Sequence, residues 1–165
     1  MIVCRRIDSP VGPLMLAADN DGLRYIEFRE NRHPADHADW HGGDSPLLQS
    51  AEAQLGEYFA GTRTIFDLPL APRGTEFQMT VWRALAHIRF GATSSYAQLA
   101  QRIGNPSAIR AVGAANGRNP LPIVLPCHRV IGIDGAMVGF GGGVAVKEFL
   151  LRLEGAMPEE PRGLF

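Results

Sequence analysis

A cysteine flanked by possible cations is the strongest chemical signal in the sequence, and it lies in the run Pro126-Cys127-His128-Arg129-Val130. Cysteine is nucleophilic as its thiolate, and a neighbouring His or Arg can lower the thiol pKa. Most free cysteines are instead buried and inert. An apolar run typical of a short strand, residues 123–125, precedes the motif, and a glycine-rich loop, residues 139–143, follows it. We therefore expect a nucleophilic Cys127 that projects from a strand end into a cleft.

The first half of the chain must supply a sheet and a helix. Runs in which apolar and polar residues roughly alternate predict three short strands, and the polar residues 29–44 predict a loop. Ser45-Pro46 then offers a helix N-cap and an N1 proline, and Gly61 ends the helix. The predicted strands are Met1–Ile7, Pro13–Ala18 and Leu23–Phe28.

The second half is predicted to be mostly helical. Thr75 caps a first helix, and the capping box Ser95-x-x-Gln98 begins a short one that ends at Gly104. Asn105-Pro106 begins another helix, which runs to about Ala115. Two short helices joined by a tight turn are typical of a helix-turn-helix, although helical hairpins also occur in proteins that never bind DNA. A last helix carries an apolar stripe, with Val146, Phe149, Leu150 and Leu153.

The composition excludes several classes of protein. The chain has 165 residues, of which 45% are hydrophobic and 20% charged, so it can bury a core and is not disordered as a whole. No apolar run approaches the ~20 residues that span a bilayer, and the first residues do not follow the pattern of a secretion signal. Two cysteines cannot build a disulfide framework. We expect a cytoplasmic protein without membrane association.

The net charge of −1 conceals an uneven distribution. Residues 1–74 carry 7 Arg against 11 Asp and Glu, whereas residues 75–155 carry 8 Lys and Arg against 4 Asp and Glu. An acidic half therefore precedes a basic half, which favours a polyanionic partner for the second. Arg makes up 15 of the 16 cationic residues, which suits bidentate phosphate contacts, although codon bias gives the same skew.

The cysteine motif extends into the longer run 121–132, which resembles the 6-O-alkylguanine-DNA alkyltransferases, also called methylated-DNA–protein-cysteine methyltransferases. The similarity covers most of residues 73–155, and the opening turn 7–12 is also similar. The resemblance implies an α/β protein with a ribonuclease H-like sheet-and-helix domain, residues 1–72. A mostly helical domain with a winged-helix-like helix-turn-helix follows at 73–155, and then a tail, 156–165. Further matching segments are 73–78, 91–96, 104–106, 110–113, 116–120 and 139–154.

The resemblance implies four catalytic residues. Cys127 would accept the alkyl group, and His128 would act as its base through a bound water. Glu154 would orient His128, which is the arrangement of a catalytic triad. A carboxylate at a helix C-terminus is disfavoured by the helix dipole, so Glu154 is expected to have a specific partner. Asn119 would tie the DNA-binding helices to the active-site loop.

The same resemblance implies binding of double-stranded DNA through the minor groove. The damaged base must leave the duplex before its oxygen is reached. Arg110 would enter the vacated space, and Tyr96 would press on the neighbouring phosphate and contact the flipped base. The remaining expected DNA contacts are Ala108, Ala111, Gly113 and Asn105.

The resemblance also implies a pocket for the flipped guanine. The carbonyls of Cys127 and Val130 would recognise the exocyclic amine, the backbone amide of Gly141 would meet the alkylated oxygen, and Pro122 would line the pocket. Phe140 departs from the Tyr of many relatives, so its ring can stack on the base but has no hydroxyl. With Gly141 beside it, we expect a roomier pocket that accepts larger alkyl groups.

We therefore expect stoichiometric repair of 6-O-alkylguanine, and of 4-O-alkylthymine if the pocket admits it, by transfer to Cys127 without a cofactor. The protein is expected to be a monomer, with cooperative binding on DNA left open. Two alternatives are a module that binds alkylguanine without repair, which would lack Cys127, and a cysteine hydrolase, which would turn over. A zinc site among His33, His37, His41 and Cys4 is disfavoured, because Pro34 and the glycines after His41 break the helix that would align them.

Overall fold

A computed structural model describes residues 1–132, 140 and 142–157. Its first half is a four-stranded sheet in the order β3-β2-β1-β4. Three strands form an antiparallel meander, as expected: β1 is Ile2–Ile7, β2 is Leu14–Asp19 and β3 is Gly22–Phe28. The α1 helix, Pro46–Phe59, packs on this sheet and is capped by the Ser45 side chain, which accepts from the Leu48 amide.

The fourth strand lies in the segment that the sequence predicts to be a loop. β4, Trp40–Gly42, pairs in parallel with β1 and covers one edge of the sheet. Its formation depends on long-range contacts, since it pairs with β1 and Trp40 packs against the ring of Tyr25 with 5.2 Å between the centroids. Trp40 also stacks on the nearby His37 at 3.8 Å. Those partners lie outside the three residues of the strand, so a local pattern does not predict it.

The second half contains the helices that surround the cysteine. α2, Glu76–Leu85, begins at a capping box on Thr75, and α3, Tyr96–Arg102, begins at the predicted capping box on Ser95. α4 is Ile109–Gly117 and α5 is Val144–Leu153. A two-stranded parallel pair, β5 (Ser94–Ser95) and β6 (Val130–Ile131), joins the start of α3 to the chain after the cysteine.

One helix boundary differs from the prediction. α4 begins at Ile109 and not at Asn105-Pro106, because residues 105–107 form a turn that is closed by a bond from the Ala108 amide to the Asn105 carbonyl. The helix ends at Gly117, close to the predicted end near Ala115. Together α3 and α4 still make the predicted helix-turn-helix.

The two halves share one apolar core, because the buried hydrophobic residues described form a single cluster with members from both. Hydrogen bonds cross between the halves as well. The Ile26 amide of β3 donates to the Pro120 carbonyl at 2.9 Å, and the Tyr58 hydroxyl of α1 donates to Glu154 at 2.6 Å. The division at residue 73 remains a prediction. No helix of the described residues is long and apolar enough to cross a membrane.

We predict that Tyr58→Phe lowers the free energy of unfolding by about 1–3 kcal/mol, because a buried carboxylate loses one charge-assisted donor. Urea denaturation measures this loss. Tyr25→Phe is the matched control, since the described residues offer its hydroxyl no hydrogen-bond partner. Equal stability of the two variants would contradict the bond's contribution.

Candidate active site

The cysteine lies on a turn and not at the end of a strand. Residues 121–125 fold into turns, closed by a bond from the Leu125 amide to the Leu121 carbonyl, and Cys127–Arg129 form one 3-10 turn. Ile123 has a φ of 75°, in a left-handed region that β-branched residues rarely adopt. The expectation of an extended run at 123–125 is therefore wrong. These residues lie between Pro122 and Pro126 and form turns, with Ile123 in a left-handed conformation.

The 3-10 turn directs two side chains to one carboxylate. His128 Nε2 lies 2.7 Å from Glu154 Oε2, and Arg129 Nε lies 2.7 Å from Glu154 Oε1. Arg129 also donates from Nη2 to Oε2 at 3.0 Å and from Nη1 to the Ile88 carbonyl at 2.6 Å. With the Tyr58 hydroxyl, four donors meet Glu154, which is the C-cap residue of α5 and is buried.

These contacts determine the protonation of the pair. Burial alone would raise the pKa of Glu154, but the bonds from His128, Arg129 and Tyr58 outweigh it and lower the pKa to about 2. Burial lowers the pKa of His128 against the opposing effect of Glu154, so the imidazole is neutral. An ionised carboxylate only accepts, so Nε2 carries the proton and Nδ1 keeps its lone pair.

The remaining imidazole nitrogen has no hydrogen-bond partner among the described residues. His128 Nδ1 is buried and makes no hydrogen bond within the described part of the chain. Leaving a buried polar atom unpaired costs about 1–3 kcal/mol, and such atoms concentrate where a ligand, a water or a reaction uses them. His128 therefore presents a basic nitrogen on the residue next to Cys127.

The Cys127 thiol is protonated at rest. Burial raises its pKa to about 11, while a hydrogen bond from Asn119 and the positive charge of Lys147 act in the opposite direction. The expectation that His128 and Arg129 lower the thiol pKa as cations is wrong, because His128 is neutral and Arg129 is bound to Glu154. Removal of the thiol proton therefore needs a base.

Two polar side chains hold the turn that carries the cysteine. Asn119 donates to the Leu125 carbonyl at 2.7 Å and accepts from the Leu121 amide at 3.0 Å, so it links the end of α4 to residues 121–125. Lys147, from α5, donates to the Val130 carbonyl at 2.5 Å. The backbone of this turn is thus held from both sides.

A cavity reaches Cys127 between the two halves of the chain. Pro122 and Phe140 line it, as the pocket prediction requires, and so do Asn116 and Asn119. Val130 and Tyr96 do not line it, and Gly141 lies outside the described residues. The opposite wall comes from the N-terminal half, including the end of β3 and part of the predicted polar loop: Tyr25, Ile26, Glu27, Phe28, Asn31, His33 and Ala35.

Phe140 is buried, and its ring packs against Phe28 with 5.5 Å between the centroids. A Cβ at Gly142 would lie 2.6 Å from the Phe28 ring and 2.8 Å from the Phe140 ring. Glycine at this position therefore lets the backbone lie against both rings.

The residues expected to meet DNA lie on the helix-turn-helix. Arg110 and Ala111 are exposed on α4, Ala108 is its N-cap residue, and Asn105 is exposed in the preceding turn. Tyr96 begins α3 and is partly buried; its ring lies 3.8 Å from where a Cβ at Gly113 would stand. Arg110 forms no ion pair with any residue that the structure describes.

The apolar stripe of α5 differs from the prediction. The buried positions are Lys147, Leu150, Leu151 and the cap residue Glu154, whereas Phe149 is 37% exposed. These four residues follow the i, i+3, i+4, i+7 pattern of one helix face. The only lysine in the chain and an acidic residue both fall on that face, and this spacing is the signal by which the sequence predictions, which do not include Lys147, could have found it.

The histidines of the first half do not come together. His37 donates or accepts at 2.6 Å with Glu27 and stacks on Trp40, while His33 lines the cavity near Cys127. Cys4 pairs with Ala17 within the sheet. Across residues 1–132, 140 and 142–157 no three metal-binding side chains are grouped to hold an ion.

Comparisons with known proteins agree on one family. The ribonuclease-like domain model of 6-O-methylguanine DNA methyltransferase matches residues 2–72, and the DNA binding domain model matches residues 76–156. A methylated-DNA–protein-cysteine methyltransferase of Methanosarcina acetivorans is 48% identical over 149 residues, which cover 90% of this chain and 96% of that protein. The crystal structure of Mycobacterium tuberculosis OGT in complex with DNA has a TM-score of 0.88 at 47% identity, covering 92% of both chains. The methyltransferase structure from Pyrococcus kodakaraensis has a TM-score of 0.65 at 25% identity and covers 94% of this chain and 99% of its own.

The fold and the site define a class of protein with a buried cysteine, a neutral histidine and a helix-turn-helix beside them. The matches cover nearly the whole chain, and this chain belongs to the 6-O-methylguanine DNA methyltransferase family. The family, the two-part α/β fold and DNA repair by alkyl transfer, all predicted from the sequence, are confirmed.

We predict that the free energy of unfolding falls in two steps as the pH is lowered. The pKa values of His128 and Glu154 are both lower in the folded state, so each group stabilises the fold above its ordinary pKa and loses this effect below it. The loss begins below pH 6.5 with His128 and continues from 4.5 towards about 2 with Glu154. Urea denaturation at each pH measures it.

The matched variants are Glu154→Gln and Glu148→Gln, both on the last helix or its cap. Glu154→Gln breaks a buried ion pair, which lowers stability by about 3–5 kcal/mol and makes the acid slope shallower. Glu148→Gln, in a partly exposed pair with Arg152, keeps the wild-type profile. If Glu154→Gln does not fold, wild-type stability that stays constant from pH 7 to 4 would still contradict the assignment.

Proposed function

We propose that this protein repairs 6-O-alkylguanine in duplex DNA by transferring the alkyl group irreversibly to its own Cys127. One observation carries the proposal: the neutral His128, held by Glu154 and next in the chain to the buried, protonated Cys127, has an Nδ1 without a hydrogen-bond partner among the described residues. That arrangement activates a thiol without a metal or cofactor.

The reaction would begin with removal of the thiol proton. We propose that the proton of Cys127 passes through a water to His128 Nδ1, and that the resulting imidazolium is stabilised by the ionised Glu154. Sulfur then attacks the alkyl carbon, and the bond from that carbon to guanine O6 breaks. The bonding electrons pass to the purine, which accepts one proton, so the products are unmodified guanine and an S-alkylcysteine.

The carbonyls of Cys127 and Val130, the Gly141 amide and the Pro122 and Phe140 side chains would hold the base. Support comes from the turn itself, since Lys147 fixes the Val130 carbonyl and Pro122 lines the cavity that reaches Cys127. A buried pocket of this kind admits a base only after it leaves the duplex. The product is a stable thioether, so each molecule would react once.

Base flipping would be performed by the helix-turn-helix in the minor groove. Arg110 and the small residue Ala111 are exposed on α4, and the small residue Ala108 is its N-cap. Small residues allow close approach to the groove, and an inserted arginine fills the space of the extruded base. Asn105 and Gly113 flank this surface, and Tyr96 at the start of α3 would contact the flipped base. We further propose that the protein acts as a cytoplasmic monomer.

We predict that mixing the protein with a duplex oligonucleotide containing methylated guanine adds one CH2 to its intact mass. Cys127→Ala, which retains Cys4, is the control. A mass gain in this variant would show that another residue accepts the methyl group. Unchanged mass with tight binding would indicate a recognition module. Repeated turnover of an ester substrate would indicate a hydrolase.

We predict that Arg110→Ala lowers the repair rate on duplex DNA at least 10-fold, because the extruded base is no longer replaced in the stack. Reaction with free 6-O-benzylguanine, which needs no flipping, should change less than twofold. Arg83→Ala, an exposed arginine on α2, is the matched control for loss of positive charge. Equal losses on both substrates would exclude the role of Arg110 in flipping.

A further inference from the structure

An aromatic contact joins the sheet to the chain just before the last helix. The ring of Phe28, the last residue of β3, lies 5.5 Å from the ring of Phe140, with 57° between the ring planes. Aromatic pairs prefer offset or tilted arrangements at such separations. Phe28 is 6% exposed and Phe140 is 4% exposed, and both line the cavity that reaches Cys127. A side chain from the first half of the chain therefore supports a ring in the wall of the cavity.

The backbone of the sheet holds Phe28 in place. Phe28 pairs with the buried Leu14 at the end of the antiparallel ladder between β2 and β3. Two residues earlier, the Ile26 amide donates to the Pro120 carbonyl at 2.9 Å, and this bond ties β3 to the segment between α4 and Cys127. Phe28 thus has a fixed position relative to the cysteine turn.

The ring of Phe140 depends on packing for its orientation. A phenylalanine side chain has no polar atom, so no conventional hydrogen bond can fix the plane of its ring. The Phe140 carbonyl accepts from the Gly143 amide at 3.1 Å, which holds the backbone before α5 but does not constrain the side chain. In the part of the chain that the structure describes, the aromatic ring that packs against Phe140 is that of Phe28.

The backbone of Gly142 completes this packing. A Cβ at this position would lie 2.6 Å from the Phe28 ring and 2.8 Å from the Phe140 ring, and nonbonded carbon atoms do not approach so closely. Gly142 is not among the glycines with a positive φ, so the close packing, and not the backbone conformation, favours glycine here. The two rings and this glycine form one packed unit.

We propose that Phe28 is a positioning residue for the alkylguanine: it fixes the plane of the Phe140 ring, so that this ring is oriented to stack on the flipped base. The inference rests on the proposed function, in which Phe140 helps to hold the base. Flipped bases are stacked between aromatic and apolar side chains, and a ring that is already oriented loses less freedom when the base arrives. The sheet domain thus contributes to the affinity for the base through Phe28.

Loss of the Phe28 ring should affect binding of the base and not the chemical step. The bond between His128 and Glu154 and the bond from Asn119 to the cysteine turn do not involve Phe28. Removal of the thiol proton therefore keeps its own groups when the ring is replaced. This separation of binding from chemistry distinguishes a positioning role from a general loss of structure.

A double-mutant cycle tests the proposal. The variants are Phe28→Leu, Phe140→Ala and the two combined, and transfer from free 6-O-benzylguanine is followed by intact mass over a range of concentrations. The concentration that gives half the maximal rate reports binding, and the maximal rate reports the chemical step. We expect Phe140→Ala to raise the half-saturating concentration about 10-fold, the order expected for stacking of a base on an aromatic ring. Phe28→Leu should raise it about fivefold and keep the maximal rate within about twofold of wild type.

The combined variant decides whether Phe28 acts through Phe140. We expect its half-saturating concentration to lie within about twofold of that of Phe140→Ala alone, because the ring that Phe28 orients is already absent. An additive increase of about 50-fold would mean that Phe28 acts independently of Phe140, and it would overturn the proposal. A wild-type half-saturating concentration in Phe28→Leu would overturn it as well.

Alkylation by iodoacetamide separates positioning of the base from damage to the thiol, because this reagent carries no purine. We expect Phe28→Leu to react with iodoacetamide at a rate within about twofold of wild type. An equal loss with both reagents would indicate general damage to the site and would contradict the positioning role. Phe77→Leu, which replaces a partly buried ring on α2 that does not line the cavity, is the matched control and should keep the wild-type half-saturating concentration.

A second variant maintains the test if Phe28→Leu does not fold. Gly142→Ala keeps both rings but forces them to shift, and it adds no backbone strain because the φ of Gly142 is not positive. Its half-saturating concentration for benzylguanine should rise about fivefold while its rate with iodoacetamide stays within about twofold of wild type. Unchanged binding in this variant would exclude the role of the ring packing. If the wild-type protein itself takes no benzyl group, the proposed function fails, whereas a reacting wild type with an additive cycle contradicts the role of Phe28 alone.

Discussion

The site depends on one buried, ionised carboxylate. Glu154 accepts from Tyr58 of α1 and from His128 and Arg129, the two residues that follow Cys127. Arg129 also donates to the Ile88 carbonyl. A buried charge is tolerated only when it is paired and fully hydrogen-bonded, so these donors must assemble around it together. The same contacts determine the tautomer of His128. The carboxylate that binds Tyr58 of α1 therefore also sets the tautomer of the histidine that would act as the base.

The thiol of the proposed nucleophile, Cys127, is protonated at rest. Burial favours the protonated form of Cys127, and the neutral His128 provides no positive charge to offset this. Lys147 is the compensating group, since burial lowers its pKa to about 8 while the cysteine charge favours its protonated form. A thiol that is protonated at rest resists unwanted modification, which matters for a protein that would react only once.

Both halves of the chain form the cavity at the cysteine. The strand β3 and residues 31–35 supply one wall, and Glu27 holds that segment by accepting from the Ala35 amide at 2.7 Å and bonding His37 at 2.6 Å. The N-terminal half thus does more than support the fold, since its loop bounds the space that leads to Cys127. A pocket between two structural units is a common location for a binding site, because each unit contributes one wall of the pocket.

The amino-acid sequence by itself determined the elements whose signals are local. Capping boxes at Thr75 and Ser95, the meander of the first 28 residues and the motif around Cys127 are all defined within a few residues, and the family follows from them. Tertiary structure alone decided β4, the turn conformation at 121–129 and the environment of His128 Nδ1, which has no partner within the described ranges, because each depends on residues far apart in the chain. The contact of Lys147 belongs to the second group. Helix periodicity places Lys147 on the buried face of α5, but only packing shows that it donates to the Val130 carbonyl.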